Sequence, residues 1–254
     1  MAMVEESIIE LPNGIRDNEF IDAGLSAWVH RLDAVTKSYS SGRAGDRATE
    51  IAIYKRLESE ESWPRGILRF YGVLDELSIV LQFAPHDSIR KYYFNRRTQS
   101  QRVPLSTKLQ WAEQLTGAVA FLHSKGILHC DISCNNVLFD KDLNAVVGDF
   151  AGSSLDGKEF FSWYETSHCP PDVMEPSVKT EIFALGSTLC EMLLQHKPFE
   201  GADEHLIEDA FRRGQFPSLE SLPALEIPIA KCWGQQYETV DDLLQDIKEE
   251  GEGQ

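Results

Sequence analysis

Up to about residue 84 the apolar residues fall in short, strand-like runs: Trp28-Val29, Ala34-Val35, Phe70–Leu74 and Leu77–Phe83. One helical stretch interrupts them at about 46–58, where Ile51, Tyr54 and Leu57 recur at i, i+3 and i+6. The loop before it, Ser40-Ser41-Gly42-Arg43-Ala44-Gly45, is a flexible connector by composition. After residue 104 the period lengthens. Residues 106–124 place Leu115, Ala118, Val119 and Leu122 on one face, a buried helical stripe. Residues 178–194 carry Ile182, Leu185, Leu189 and Leu193, and about 238–250 predict a last amphipathic helix. Between them, Gly126–His129 reads as a short strand, and 136–139 with 145–147 as a hairpin turned by Asp140-Lys141-Asp142. No internal repeat interrupts this order. The pattern predicts an α+β, bilobal chain: one domain over 1–254, with a small β-rich lobe over 1–84 and a larger α-helical lobe over 85–254.

Composition narrows the class. Lys and Arg total 24 against 41 Asp and Glu, a formal charge of −17. So acidic a surface repels phosphate backbones and anionic lipid, which argues against a nucleic-acid or membrane-surface protein. The most apolar long stretch, 182–194, is thirteen residues and contains Ser187, Thr188 and Glu191, too short and polar to span a bilayer. Glu5 and Glu6 stand where an export signal would carry positive charge, and five cysteines do not make a disulfide framework at this length. The expectation is a reduced, cytoplasmic protein with no separate targeting or regulatory domain. Charge is uneven, however. Residues 88–112 carry Arg90, Lys91, Arg96, Arg97, Arg102 and Lys108 and no acid. That stretch is either a solvated helix face or a docking site for an acidic protein partner near Arg90–Arg102.

The chemistry concentrates in His129-Cys130-Asp131-Ile132-Ser133-Cys134-Asn135-Asn136, followed by Gly148-Asp149-Phe150-Ala151-Gly152. An Asp at a strand end, an Asn five positions on and a second Asp beyond a hairpin can converge on one spot. Asp131 is placed to accept a proton from a hydroxyl. Asn136 and Asp149 offer the hard oxygens that Mg²⁺ takes beside substrate phosphates.

In these residues the chain resembles the eukaryotic protein kinases, whose catalytic loop reads H-R-D-L-x-x-x-N and whose metal motif reads D-F-G. Ala34-Val35-Thr36-Lys37 resembles the strand bearing the ATP-binding lysine, and Glu50 sits where a helix supplies its glutamate partner. Ile79–Ala84 is similar to the strand leading into the adenine-binding hinge, with Leu81 as gatekeeper. Pro170-Pro171-Asp172 falls where the activation segment ends, and Glu181–Gly186 resembles the start of the central lobe helix. The G-D-F-A-G-S-S wording is similar to a divergent branch in filamentous fungi. The resemblance implies ATP and Mg²⁺ as cofactors, with Lys37 on the α/β-phosphates, oriented by Glu50, and Asp131 as base. It implies Asn136 and Asp149 as metal ligands. Gly24, Val29, Val35, Leu81, Gln82, Ala84 and Leu138 would surround the nucleotide, and His129, Phe150 and Tyr54 would stack behind Asp149.

The chain departs from that pattern in several places. Only Gly24 survives of the glycine-rich loop, in Asp22-Ala23-Gly24-Leu25-Ser26-Ala27-Trp28-Val29, and Asp22 adds a negative charge there. Cys130 replaces the arginine that pairs with a phosphorylated activation segment, so activity is expected not to depend on phosphate there. Ser162, Tyr164, Thr166 and Ser167 are nonetheless hydroxyls in that segment. Ser133 replaces a lysine that neutralises the transferring phosphoryl group, and Ala151 the metal-loop glycine. Asp172 stands for glutamate, with Gln236-Tyr237-Glu238 where its arginine partner belongs, so that clamp is expected to be missing or rebuilt. Cys130, Cys134 and Cys169 read by default as buried, inert cysteines, with a redox-sensitive thiol and, behind it, a metal site as the alternatives. The leading expectation is a protein kinase acting on a Ser or Thr hydroxyl ahead of Tyr. A pseudokinase that binds nucleotide or serves as a scaffold, and a small-molecule phosphotransferase, are the alternatives.

Overall fold

The computed structural model describes residues 20–23, 28–96 and 103–252. Strands β1 (Phe20–Ala23) and β2 (Trp28–His30) pair antiparallel. β3 (Ala34–Ser38), β4 (Phe70–Val73) and β5 (Ser78–Gln82) form an antiparallel sheet in the order β3-β5-β4. Its register sets Lys37 opposite Ile79 and Val35 opposite Leu81.

Helix α1 (Ala44–Glu58) lies against this sheet. Its buried stripe is Glu50, Ile53, Tyr54 and Leu57, a clean i, i+3, i+4, i+7 set. The expected Ile51 is only partly buried; Ile53 takes the core position, because the true stripe begins on a carboxylate that a hydrophobic pattern skips. Tyr54 stacks on Phe70 of β4 at 5.0 Å between ring centroids.

The large lobe is built around α4 (Val178–Leu194), buried along nearly its whole length, as befits a helix apolar on all sides. Ser177 caps its N-terminus by accepting from the Thr180 amide at 3.2 Å, while the Thr180 hydroxyl receives the Ser177 amide. On one side α4 meets α6 (Glu226–Trp233) at Gly186, where an added Cβ would stand 2.6 Å from the Cβ of Cys232. Helix α3 (Leu105–Ser124) buries Leu115, Ala118, Val119 and Leu122 as its spacing predicts, and α7 (Val240–Glu252) lies along it. Three helices escape the periodic pattern: α2 (Ile89–Arg96), α5 (Glu204–Arg212) and α6.

Strands β6 (Ile127–Leu128), β7 (Val137–Phe139), β8 (Ala145–Val147) and β9 (Ser154–Leu155) lie where the lobes meet. β7 and β8 form the expected hairpin. Backbone hydrogen bonds tie the lobes besides the connecting chain, and one more fixes the start of the large lobe on β7. Leu68 and Val147 exchange backbone bonds with Val147 and Gly66 at 2.8 and 2.7 Å, and Phe139 donates to the Asp87 carbonyl at 2.9 Å. Among the described residues no helix is long and apolar enough to cross a membrane.

Candidate active site

Strand alternation turns Lys37 toward α1, whose buried stripe presents Glu50. The Lys37 ammonium lies 2.7 Å from Glu50 Oε2 and 2.6 Å from Asp149 Oδ1. Burial opposes its charge, but the two carboxylates override that and raise its pKa. Glu50 is fully buried, which pushes its carboxyl up, and Lys37 offsets part of the cost. Two more donors hold it: the Phe150 amide on Oε1 at 3.2 Å and the Tyr39 hydroxyl on Oε2. Tyr39 was not foreseen, since a hydroxyl two residues past a lysine carries no sequence signal.

The loop after β6 is shaped by another buried carboxylate. Glu181, at the start of α4, accepts from the backbone amides of His129 at 3.1 Å and Cys130 at 2.8 Å. His123 lies 2.9 Å from it, and the Tyr164 hydroxyl donates at 2.8 Å. Burial would raise this carboxyl; His123 and His129 and the donated amide hold it below its usual range. Cys130 sits at φ +64°, a left-handed conformation that non-glycine residues adopt only when surroundings fix it. Glu181 supplies that fixation.

Beyond the bend, Asn136 Nδ2 donates to both Asp131 atoms that matter: the carbonyl at 2.8 Å and Oδ2 at 2.9 Å. Burial holds the Asp131 carboxyl above its usual range, against the pull of His129 and Asn136. Asp149 follows the hairpin at φ +63°, its side chain half exposed to the cleft. Burial would raise its carboxyl, but Lys37 overrides this and holds it low. Behind it Phe150 is fully buried between Tyr54 and His129, with centroids at 5.2 and 5.4 Å, the expected column.

Asn136 Nδ2 is turned to Asp131, so the pair would offer a metal Asn136 Oδ1 and the Asp149 carboxylate, which also receives the Ala151 amide. Two hard oxygens are the donor set that Mg²⁺ accepts from protein beside phosphates. Among the described residues no group of three or more His, Cys, Asp or Glu forms a larger metal site. Leu81 is buried at the back of the cleft; Val29 and Val35 are exposed at its mouth, and Leu138 is partly buried below. Gln82 ends β5 and Ala84 begins the connecting chain. Gly24 lies outside the described residues. A groove of about 1600 Å³ behind the connecting chain shares only Gln82 with these positions, so charge geometry rather than volume locates the site.

Comparison with known sequences decides what this constellation belongs to. The protein kinase domain matches residues 34–250. The chain belongs to the protein kinase domain family. Among relatives, Serine/threonine-protein kinase PKH1 of Saccharomyces cerevisiae is 27% identical over 208 residues, 71% of this chain and 26% of that protein. Serine/threonine-protein kinase srb10 of Schizosaccharomyces pombe is 24% identical over 222 residues, 81% of this chain and 60% of that protein. A putative L-type lectin-domain containing receptor kinase of Arabidopsis thaliana is 28% identical over 217 residues, 74% of this chain and 29% of that protein. The chain thus spans less than two thirds of the length of each.

Several departures of this kinase domain acquire a physical account. Ala151 is tolerated because its own φ is not positive, so the position does not demand glycine. The Asp172 clamp is rebuilt: Arg212 of α5 lies 3.1 Å away, both side chains largely exposed, so the pair contributes little. Glu238 pairs instead with Lys179 at 2.7 Å. All five cysteines are buried and free, and burial pushes the Cys130 thiol up to about 12 and Cys169 up to about 11; the redox-sensitive reading loses its physical basis. Tyr164 and Ser167 are buried and hydrogen-bonded rather than displayed for modification. The basic stretch is also reassigned in part. Arg90 faces Glu165 and Glu191, and Lys108 is buried, donating to the Leu193 carbonyl at 2.7 Å. Lys91 is exposed; Arg97, Arg102 and the side chain of Arg96 lie outside the described residues.

Proposed function

We propose that this domain is an ATP-dependent protein kinase that transfers the γ-phosphate to a protein hydroxyl, Ser or Thr ahead of Tyr. The observation that carries the reading is the joining of Lys37, Glu50 and Asp149 within 2.7 Å across the two lobes. A degraded nucleotide site has no reason to keep a buried carboxylate, its ammonium partner and a second carboxylate in contact, since each charge costs desolvation. The preference for Ser or Thr rests on the printed names of the yeast relatives.

Each residue then has a task. Lys37 holds the α/β-phosphates and Glu50 keeps its ammonium in place. Asp131 takes the proton of the acceptor hydroxyl; its raised pKa improves it as a base, and the Asn136 amide fixes the orientation of Oδ2. Asn136 and Asp149 would hold Mg²⁺, which when bound would neutralise phosphate charge. Val29, Val35, Leu81 and Leu138 enclose the adenine, while Gln82, Ala84 and Gly24 supply backbone around the nucleotide. Arg90 and Lys108 are spent internally, so selection of an acidic substrate is not part of this proposal.

A second reading, a nucleotide-binding pseudokinase, is favoured by one observation. Ser133 is buried and its Oγ only receives the Asn135 amide at 3.3 Å, so the catalytic loop brings no cation to the phosphoryl group. Radiolabelled γ-phosphate transfer with Mg²⁺, on wild type and Asp131→Asn, separates the two. Transfer lost in the variant supports the kinase. Absent transfer with ATP still raising the melting temperature supports the pseudokinase, and turnover of an alcohol or amine metabolite alone points to a small-molecule enzyme.

A further inference from the structure

Glu165 lies in the segment between Asp149 and Asp172, and three parts of the large lobe converge on it. Its Oε1 is 2.6 Å from Arg90 Nη1 of α2 and 3.5 Å from Asn135 Nδ2 of the loop that carries Asp131. Its Oε2 is 2.5 Å from Lys197, in the turn after α4. Arg90 also grips Glu191 of α4 through two parallel bonds, Nε to Oε1 at 2.6 Å and Nη2 to Oε2 at 2.7 Å, the geometry that makes guanidinium–carboxylate pairs strong. The Arg90 amide donates to the Cys134 carbonyl at 3.0 Å, joining α2 to the same loop. Two carboxylates thus meet two fixed cations. Buried His168 nearby is neutral, its pKa lowered by burial to about 3. No charge in this cluster is left over to receive a phosphate.

The other end of the segment is held separately, by the Arg56–Asp156 pair at 2.8 Å and by packing. The Phe161 ring packs on Gly45 in the first turn of α1, where an added Cβ would stand 3.1 Å from it. The Phe161 and Ser162 amides both donate to the Gly152 carbonyl, at 3.0 and 3.2 Å.

We infer that Glu165 is a positioning residue that serves as a built-in anion: through Arg90 and Lys197 it orders the activation segment against the catalytic loop, and the domain reaches its working arrangement without phosphate on that segment. The kinetic part rests on the kinase reading above; the ordering part does not. A carboxylate is a constitutive charge, so the arrangement would be set by folding rather than by a modifying enzyme. Removing one partner of a partly buried ion cluster exposes the others to uncompensated desolvation, and the segment would loosen.

The test compares wild type, Glu165→Gln, Glu165→Asp and Lys197→Met, each treated with phosphatase until intact mass shows no phosphate. Hydrogen exchange over 159–169 and peptide phosphorylation are both read. The expectation is that dephosphorylated wild type keeps its exchange protection and its kcat within about twofold. Glu165→Gln should exchange at least about tenfold faster in that segment and lose about tenfold in kcat, with the KM for ATP nearly unchanged. Glu165→Asp should recover part of both. Should Glu165→Gln fail to fold, Lys197→Met, which removes a partly exposed partner, must show the same loosening to a smaller degree. Loss of protection or activity on phosphatase treatment, or wild-type protection in Glu165→Gln, overturns the inference. If wild type transfers no phosphate at all, the kinase reading fails while the exchange data still decide this one.

Discussion

Lys37 and Asp149 are 112 residues apart in the chain and 2.6 Å apart in space. That contact closes the small lobe on the large one, and because Glu50 shares the ammonium, one cation serves two carboxylates. Replacing Lys37 by Met leaves Glu50 buried with only Tyr39 and the Phe150 amide as partners, so its carboxyl should take up a proton. We expect phosphate transfer to fall by about a hundredfold or more, as when one preorganised charge stabiliser is lost. Stability should drop by about 1–3 kcal/mol, the cost of an unmatched buried polar group. Steady-state kinetics and urea unfolding check the two parts separately; unchanged transfer would remove Lys37 from the mechanism.

Gly152 is the tightest point of the activation segment. An added Cβ would come within 2.0 Å of Ser162 Cβ and 2.7 Å of its amide nitrogen, both rigid parts of the chain. Gly152→Ala should therefore displace the segment rather than be absorbed. The expected result is transfer reduced by about tenfold or more with a melting temperature lowered by only a few degrees, because the α3–α4 core is untouched. Equal losses at Gly42→Ala, where the added atom meets nothing within 4 Å, would discredit the steric account.

Glu165 gives a pH signature with a definite sign. Burial would raise its carboxyl, but bonds from Lys197 and Arg90 hold it down to about 2 against an ordinary 4.5. A carboxylate whose folded pKa lies below its unfolded one stabilises fully above the unfolded value and loses that contribution as pH falls toward the folded one. Glu165→Gln should thus be less stable than wild type by on the order of 2 kcal/mol at neutral pH, with the gap closing between about pH 4.5 and 2. Urea titrations across that range read it directly. A gap that persists undiminished near pH 2.5 contradicts the assignment.

The thiols should be silent. Burial pushes Cys190, like Cys130, up to about 12, and Cys134 and Cys232 are raised as well. Ellman's reagent at pH 8 should label none of the five before unfolding and all five afterwards. Rapid labelling of Cys130 or Cys169 in the folded domain would restore the redox reading.

The candidate site was legible in its residues because they are carried by order and spacing. Asp131, Asn136 and Asp149 sit at a strand end, after a bend and after a hairpin, and local rules place each of them. The stripes of α3 and α4 were equally plain, since burial repeats with the helical turn. In helix α1 Tyr54 and Leu57 were read correctly and only Ile51 was misplaced, because the stripe opens on Glu50. Helices α2, α5 and α6 escaped the periodic reading because each is short, leaving little periodic signal.

The sequence by itself determined the two-lobed fold and, through its resemblance to the protein kinases, named a candidate catalytic set, because periodic burial and motif order are properties of the chain itself. Only the tertiary structure decided where the remaining charges go. Glu181 turned out to shape the loop of Asp131, Arg90 to bind Glu165 and Glu191 instead of facing a partner, and Arg212 to answer Asp172. Any carboxylate suits any cation equally well in a sequence. Which pairs form depends on which elements the packed core brings within about 3 Å, and no period along the chain encodes that distance.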